Sequence, residues 1–483
     1  MPSSNPNITK LTLANGLMVL LKEITTAPII SHWAWYRVGS RDEPTGLTGI
    51  SHWTEHMQFK GTPQFPAKVM DKAIARDGGY WNAFTFLDWT TYFETMPADK
   101  IDLSIQFEAD RMQSSQFVDS EVASERTVII SERQGSENEP TFRLGEEVQN
   151  AAFRVHPYHH EIVGDMADLL LIQQEDLYRH YRSYYTPGNA VLAMAGDFET
   201  EAMLKRIREL FEPIPASSQA PAPAEAPAPA EAPRLVRAEP AQTGERRVTV
   251  EGPGETTYTQ VVYHAPQGRH PDFFAFTVLD SLLCGPSSLN IFGDGISNKT
   301  SRLYRALVEK ELTVSMSGGL AATIDPFLYT INLTIHPQRP ASDALQAMDS
   351  EIKRLQDTPP PVDEVARAVK QARAMFAYGS ESITNQAYWL GFAEMFDTYE
   401  WFVSYLDRLA AVTPEEVQRI AQTYLRPQNR VVGTYLPTRV GNSGNLDILA
   451  SEAGQNIQIS AYSPLLPPFY GGEKGGMRGG MIA

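Results

Sequence analysis

EDLYRHYRSYYTPGNAVLAMAGDF, residues 175–198, decides how this chain is read. Its first part has helical periodicity, Pro187 breaks any helix there, and the residues that follow form an apolar, strand-like run. The same succession returns near the other end as PEEVQRIAQTYL and RVVGTYLP, residues 414–425 and 430–437. A helix, a turn and an apolar strand thus close two separate stretches of chain, which predicts duplicated α+β domains.

Working outward, each stretch opens with strand patterns. KLTLANGLMVLLKE, residues 10–23, reads as a hairpin, because Asn15 and Gly16 tolerate the positive φ angles of a tight turn. A strand over 29–38 precedes a helix over 47–60, and another helix is predicted near 68–77. Strand patterns flank GGYWNAFTFLDWTTYFETM, and helices follow over 100–114 and 120–132. In the second stretch, RRVTVEG and TYTQVVYHAP read as strands, HPDFFAFTVLDSLL as a helix and LYTINLTIHP as a strand, before helices over 341–356 and 361–378.

Between the two lies PIPASSQAPAPAEAPAPAEAPRLVRAEPAQ, residues 213–242, whose alternating Ala and Pro favour extended polyproline II over a packed core. The expected organisation is a first domain over 1–212, this Pro/Ala-rich linker over 213–242, a homologous second domain over 243–440 and a tail over 441–483. Each domain is expected as an α/β sandwich, a mixed sheet with helices packed on it. The tail, with GGEKGGMRGG near its end, reads as a flexible arm, since no strand-to-helix context makes those glycines a phosphate loop.

At 483 residues and 42% hydrophobic, the chain has enough apolar side chains for more than one core. Its 41 basic and 58 acidic residues give a formal charge of −17, which argues against nucleic acid and anionic lipid as partners. Cys284 is the single cysteine and excludes an internal disulfide, so metal ligands are sought among His, Asp and Glu. With no leader pattern and no run of 18 apolar residues, the chain reads as cytoplasmic, or periplasmic where a leader has been removed.

The chemistry is concentrated in ISHWTEHMQFKGT, residues 50–62. On a helix, His52 and His56 are one turn apart and share a face, close enough to hold one ion, with Glu55 beside them. The alternative is a helix whose histidines cap or pack while Glu55 faces solvent. In ERTVIISER, residues 125–133, Glu125 and Glu132 share one helix face two turns apart. Either one supplies the third ligand while the other holds a histidine, or both are ordinary surface charges. In HPYHHE, His156, His159 and His160 are interrupted by proline, and a loop or packing role is expected for them.

The HxxEH motif, with Gly46 and Gly49 before it and MQFKGT after it, resembles the inverted zinc motif of the pitrilysin, insulysin and mitochondrial processing peptidase family. That family's third ligand lies about seventy-six positions beyond the second histidine, and Glu132 stands 76 positions after His56. GGYWNAFTFLDWTTY, HPYHHEIVGD and YYTPGNAVLAMAGDF resemble further family segments in the expected order. The resemblance implies a zinc endopeptidase acting on short or unfolded peptides, with Zn2+ held by His52, His56 and Glu132. It implies Glu55 as general base, Glu125 behind a ligand histidine, and Asn82 and Ala83 on the strand where substrate lies. A catalytically silent scaffold or a peptide-binding module of the same fold is the alternative.

One departure bears on partners. The family's active members carry an arginine and, seven residues on, a tyrosine in the second half. In SRLYRALVEKELTVSMSGG, residues 301–319, those places fall at or beside Val308 and Val314. Arg302, Tyr304 and Arg305 lie nearby in a different phase. By resemblance to the family's two-subunit branch, the expectation is the catalytic subunit of a heterodimer whose homologous partner brings the missing pair; a homodimer is the other arrangement.

Overall fold

The computed structural model describes residues 8–216, 236–290 and 297–438. The first half comprises β1 (Ile8–Thr12), β2 (Met18–Glu23), β3 (Ile29–Tyr36), α1 (Ile50–Met57), α2 (Val69–Arg76), β4 (Tyr80–Thr85) and β5 (Thr90–Pro97). It continues with α3 (Ile101–Ser114), α4 (Asp119–Glu137), α5 (Pro140–Ala152), α6 (Met166–Leu169), α7 (Gln174–Tyr184), β6 (Ala190–Gly196) and α8 (Thr200–Phe211). The second half comprises β7 (Arg246–Pro253), β8 (Tyr258–His264), α9 (Asp272–Leu283), β9 (Thr313–Leu320) and β10 (Leu328–Ile335). It ends with α10 (Ala341–Asp357), α11 (Val362–Tyr378), α12 (Ile383–Phe396), α13 (Tyr399–Ala410), α14 (Pro414–Tyr424) and β11 (Arg430–Thr438).

The six-stranded sheet runs β1-β2-β6-β3-β5-β4 and the five-stranded sheet β7-β11-β8-β10-β9. Without β1, the first order maps strand for strand onto the second. The senses also agree: β2/β6 and β7/β11 are parallel, and the remaining neighbours are antiparallel. In this mapping α9 occupies the position of α1, between the third strand of the sheet and the edge hairpin. The mixed α/β architecture expected from the sequence is what the chain adopts.

Both faces of the first sheet are covered, which accounts for the unbroken apolar run of β6. Trp33 and Trp35 of β3 belong to one buried cluster, Ala34 and Tyr36 to another, as the two-residue strand period dictates. The Ala34 side is covered by α1, α3, α7 and α8. The Trp35 side is covered from the other half, by α12 against β3 and β6. Reciprocally, α5 of the first half lies on β7, β8 and β11 of the second sheet. Each contact is close enough to require a glycine. A Cβ on Gly391 of α12 would stand 2.1 Å from Trp35 Nε1, and one on Gly433 of β11 would stand 2.2 Å from Val148 Cγ2 of α5. With fully buried aromatic and aliphatic side chains contributing roughly 1.5–3 kcal/mol each, this exchange of helices fixes the halves against one another.

A polar contact reinforces it. Asp325 of the second half accepts from Arg41 Nε at 2.8 Å and lies 3.2 Å from His156 Nε2, while Asp88 accepts from Tyr158 Oη and from the Ile324 N–H. The HPYHHE segment therefore has the packing role expected of it, with His156 paired to an acid that sequence spacing did not indicate. The hydrogen bond from His156, followed by the Arg41 charge, holds Asp325 down at about 2.

Helices α5, α6, α8, α12 and α13 stand where the sequence reading had placed nothing, and because α8 follows β6 the first half does not end on its strand as expected. The described ends of the expected linker also differ from a solvated spacer. Ile214 is buried and its carbonyl accepts from Asn15, while the Glu239 carboxylate accepts the N–H groups of Arg154, Val155 and His156. Most of that linker and the tail from 441 lie outside the described residues. Among the described residues, no helix is long and apolar enough to cross a membrane.

The second half buries a carboxylate with a testable consequence. Asp280 of α9 is fully buried, accepting from Tyr329 Oη at 2.9 Å and Ser287 Oγ at 2.7 Å, and burial raises its pKa from 3.8 to about 6. The folded protein then retains a proton that the unfolded chain releases. This contribution to stability is complete below the unfolded value and is lost as pH rises through the folded one, a decline of about 3 kcal/mol. Asp280→Asn keeps an acceptor for Tyr329 and removes the titration. Unfolding midpoints measured from pH 4 to 7 should therefore fall less steeply in the variant than in the parent; parallel curves would show that Asp280 titrates normally.

Candidate metal centre

Helix α1 begins where a left-handed glycine and a distant carboxylate oblige it to. Gly49 has φ 86°, and a Cβ there would lie 2.5 Å from the Val163 carbonyl oxygen. Buried Glu43 accepts the Gly49 N–H through Oε2 and the Ser51 N–H through Oε1, both at 2.8 Å, satisfying donors that a helix N-terminus leaves open. The helix is thus shorter than the 47–60 expected from periodicity.

Within this helix of eight residues, His52, Glu55 and Met57 are buried and His56 nearly so. The imidazole rings of His52 and His56 lie 4.7 Å apart at 71°. Helix α4 packs against α1, and Arg126 fastens it there: its guanidinium lies 4.8 Å from the Trp53 ring and donates to the carbonyls of Leu169 and Ile172. That docking brings Glu132 to the histidines. Its Oε2 is 3.7 Å from His56 Nε2, and ligand atoms of His52, His56 and Glu132 all fall within 4.8 Å of one another. Among the described residues this is the one such group of His, Cys, Asp or Glu side chains.

Glu125, the other acid of the pair, faces the back of the same ring. His56 Nδ1 and Glu125 Oε1 are 2.9 Å apart, and the Lys60 ammonium contacts Glu125 Oε2. Burial pushes the Glu125 carboxyl up, but the His56 hydrogen bond and Lys60 outweigh it and leave it below the usual range. An ionised carboxylate only accepts, so Nδ1 carries a proton. Burial pushes the His56 imidazole down, but the Glu125 hydrogen bond and the charges of Glu55, Glu132 and Glu125 outweigh it and leave it above its ordinary value. Nε2, facing Glu132, is the nitrogen a metal ion would take in place of a proton. Buried His56 Nε2 and His52 Nδ1 have no hydrogen-bond partner among the described residues. His52 is held well below its ordinary pKa, by burial first and by His56 second, which keeps it neutral. Two imidazoles and a carboxylate, with orphaned ring nitrogens, fit zinc, whose charge would displace any proton from the ligating nitrogens.

Glu55 stands beside this group. Thr85 Oγ1 of β4 donates to its Oε2 at 2.6 Å, and burial, assisted by Glu132 and opposed by His56 and Thr85, raises its pKa to about 7. Strand β4 is the outer strand of its sheet. On it, Asn82 is half-buried and Ala83 buried, and Asn82 Oδ1 accepts the Ala83 N–H at 2.9 Å. In the second half, the helix equivalent to α1 is the apolar α9, which contains no histidine. Val308 ends a π-helical turn with its side chain against the core, and Val314 is 50% exposed on the edge strand β9. Arg302 is committed to Glu364 by two hydrogen bonds of 2.9 and 2.6 Å.

The sequence reading overlooked Glu43, Lys60, Thr85 and Arg126. Lys60, Thr85 and Arg126 lie inside quoted motifs, but only the packing of α4 and β4 on α1 shows what they touch.

Known proteins resemble this chain along most of its length. Residues 18–166 match the family model described as insulinase (peptidase family M16), and residues 172–372 match the model described as peptidase M16 inactive domain. The zinc protease PqqE of Helicobacter pylori is 30% identical over 315 residues, 65% of this chain and 66% of the relative's length. The mitochondrial-processing peptidase subunit beta of Lentinula edodes is 24% identical over 86% of each chain. A crystal structure of a protease from Helicobacter pylori superposes with a TM-score of 0.80 at 25% identity, covering 89% of this chain and 99% of that one. With successive M16 models matching from residue 18 to residue 372 and the fold shared along nearly the whole length of a solved protease, this chain belongs to peptidase family M16.

Proposed function

We propose that the protein is a zinc-dependent endopeptidase for short or unfolded peptides, with His52, His56 and Glu132 as the metal ligands. The observation that carries this reading is the convergence of their ligand atoms within 4.8 Å, with a buried glutamate alongside. Zinc at that position supplies a Lewis acid toward the attacking water and the scissile carbonyl. The chain's own residues do the rest. Glu55, held by Thr85, takes a proton from the water as its oxygen adds to the carbonyl carbon; the same proton passes to the amide nitrogen as the C–N bond breaks. The outer edge of β4 receives the peptide as an added strand, with Asn82 and Ala83 beside the bond to be cut.

We infer further that the active form is a heterodimer. Val308 and Val314 offer no hydrogen-bond donor, and Arg302 is occupied by Glu364. A homologous subunit carrying the arginine and tyrosine would complete the site, an arrangement in keeping with a relative named as a subunit. A silent scaffold needs neither the histidine pair nor a buried Glu55, and this chain retains both.

Elemental analysis of the purified protein should find one zinc per chain. Cleavage of a quenched-fluorescence peptide in the presence of the partner should stop with a chelator and return with zinc. Absence of zinc, or cleavage indifferent to chelation, overturns the assignment.

A further inference from the structure

The geometry points to Lys60 as a positioning residue that tightens zinc binding by holding Glu125 against His56. This inference rests on the metal-site reading above and concerns a side chain that touches neither the ligand atoms nor the substrate strand.

Lys60 follows the metal helix by a single turn, and its N–H donates to the Met57 carbonyl at 3.1 Å. The next residue fixes where the chain goes. Gly61 has φ 91°, and a Cβ on it would lie 2.4 Å from Ala67 N. Its carbonyl accepts from Gln116, and the Thr62 N–H donates to Phe65. A lysine on so constrained a turn has a restricted reach, and what it reaches is Glu125 Oε2. The Lys60 side chain is 23% exposed and that of Glu125 is 6% exposed, so the carboxylate end of the pair is largely out of water.

Glu125 is therefore held from two sides by one chain segment, through His56 on α1 and Lys60 just beyond it. Its two oxygens do different jobs. Oε1 fixes the plane and tautomer of the His56 ring; Oε2 is a buried anionic oxygen that Lys60 compensates. With Lys60 gone, that oxygen lacks its charge partner and the carboxylate turns to find another. The His56 ring then loses the acceptor that aims Nε2 at Glu132. Removing such an outer partner of a metal-bound histidine characteristically weakens metal binding by about 10- to 100-fold. An ordinary surface ion pair would leave metal affinity untouched.

The test is the zinc dissociation constant of the full-length protein, measured by competition with a chromophoric chelator. Lys60→Met preserves the aliphatic stem and should weaken zinc by about 10- to 100-fold. Lys60→Arg keeps the charge and should restore most of the affinity. In a Glu125→Gln background, Lys60→Met should add nothing, because its effect runs through that carboxylate. Lys60→Gln, with circular dichroism of each apo variant, separates loss of the metal site from loss of fold. Parental zinc affinity in folded Lys60→Met or Lys60→Gln overturns the inference while leaving the peptidase reading intact, as does an undiminished effect in the Glu125→Gln background. Failure of the parent protein itself to bind zinc overturns both.

Discussion

Replacing Glu55 with glutamine lowers the rate of peptide hydrolysis by about 10²- to 10⁴-fold while the zinc content stays at one per chain. The side chain is buried and hydrogen-bonded to Thr85, so an amide of equal size keeps the same rotamer and one acceptor for that hydroxyl. What disappears is the basic oxygen pair that moves a proton from water to the leaving nitrogen. The loss should therefore fall on kcat, with little change in KM, because Glu55 contributes no binding face to the peptide. Zinc content by elemental analysis and kinetics on one preparation decide the point. Loss of zinc along with activity would recast Glu55 as a structural support of the ligands, and unchanged turnover would remove it from the mechanism.

The chain assayed alone should be about 10²- to 10³-fold slower than the same chain supplied with a homologous subunit that carries an arginine and a tyrosine at the places of Val308 and Val314. The physical ground is local. Negative charge develops on the scissile carbonyl oxygen during attack, and donors aimed at it contribute more to the rate than to substrate binding. Neither valine donates, and the nearby Arg302 guanidinium is spent on Glu364. The ligands and Glu55 all come from the first half, so zinc affinity should be the same with and without the partner. Comparison of kcat/KM across subunit ratios, with solution mass measured in parallel, tests this. Full activity from a monomer or homodimer contradicts it.

Much of the fold was legible because its strands obey a two-residue period and its first-half helices are bounded by strong breakers. The hairpin at Asn15 and Gly16 and the closing helix, turn and strand of the second half appear where the pattern placed them. In the first half α8 follows the strand, and the strands expected on either side of the Asn82 stretch lie within it as β4 and β5. Helix α12 was not legible for a physical reason. Ala387 through Phe396 are buried on every side, because this helix lies between its own half and the first sheet, and a helix surrounded by apolar neighbours loses the polar stripe that reveals its period.

The site divides along similar lines. His52, Glu55 and His56 follow from helical spacing alone, since one turn sets their relation. Glu132 and Glu125 share a helix face, but spacing could not say which would approach the imidazoles; family resemblance supplied that order, and the packing of α4 on α1 gives it a geometry. Glu43 was beyond reach. It lies in a loop seven residues ahead of α1, and nothing in sequence distance shows that a carboxylate there folds back to cap Gly49 and Ser51.

A crystal of the zinc-loaded protein measured on both sides of the zinc absorption edge tests the central claim most directly. The account predicts one anomalous peak, at about 2.0–2.2 Å from a ring nitrogen of His52, a ring nitrogen of His56 and a carboxylate oxygen of Glu132. A peak elsewhere, or Glu132 turned away from the two imidazoles with zinc in place, contradicts it.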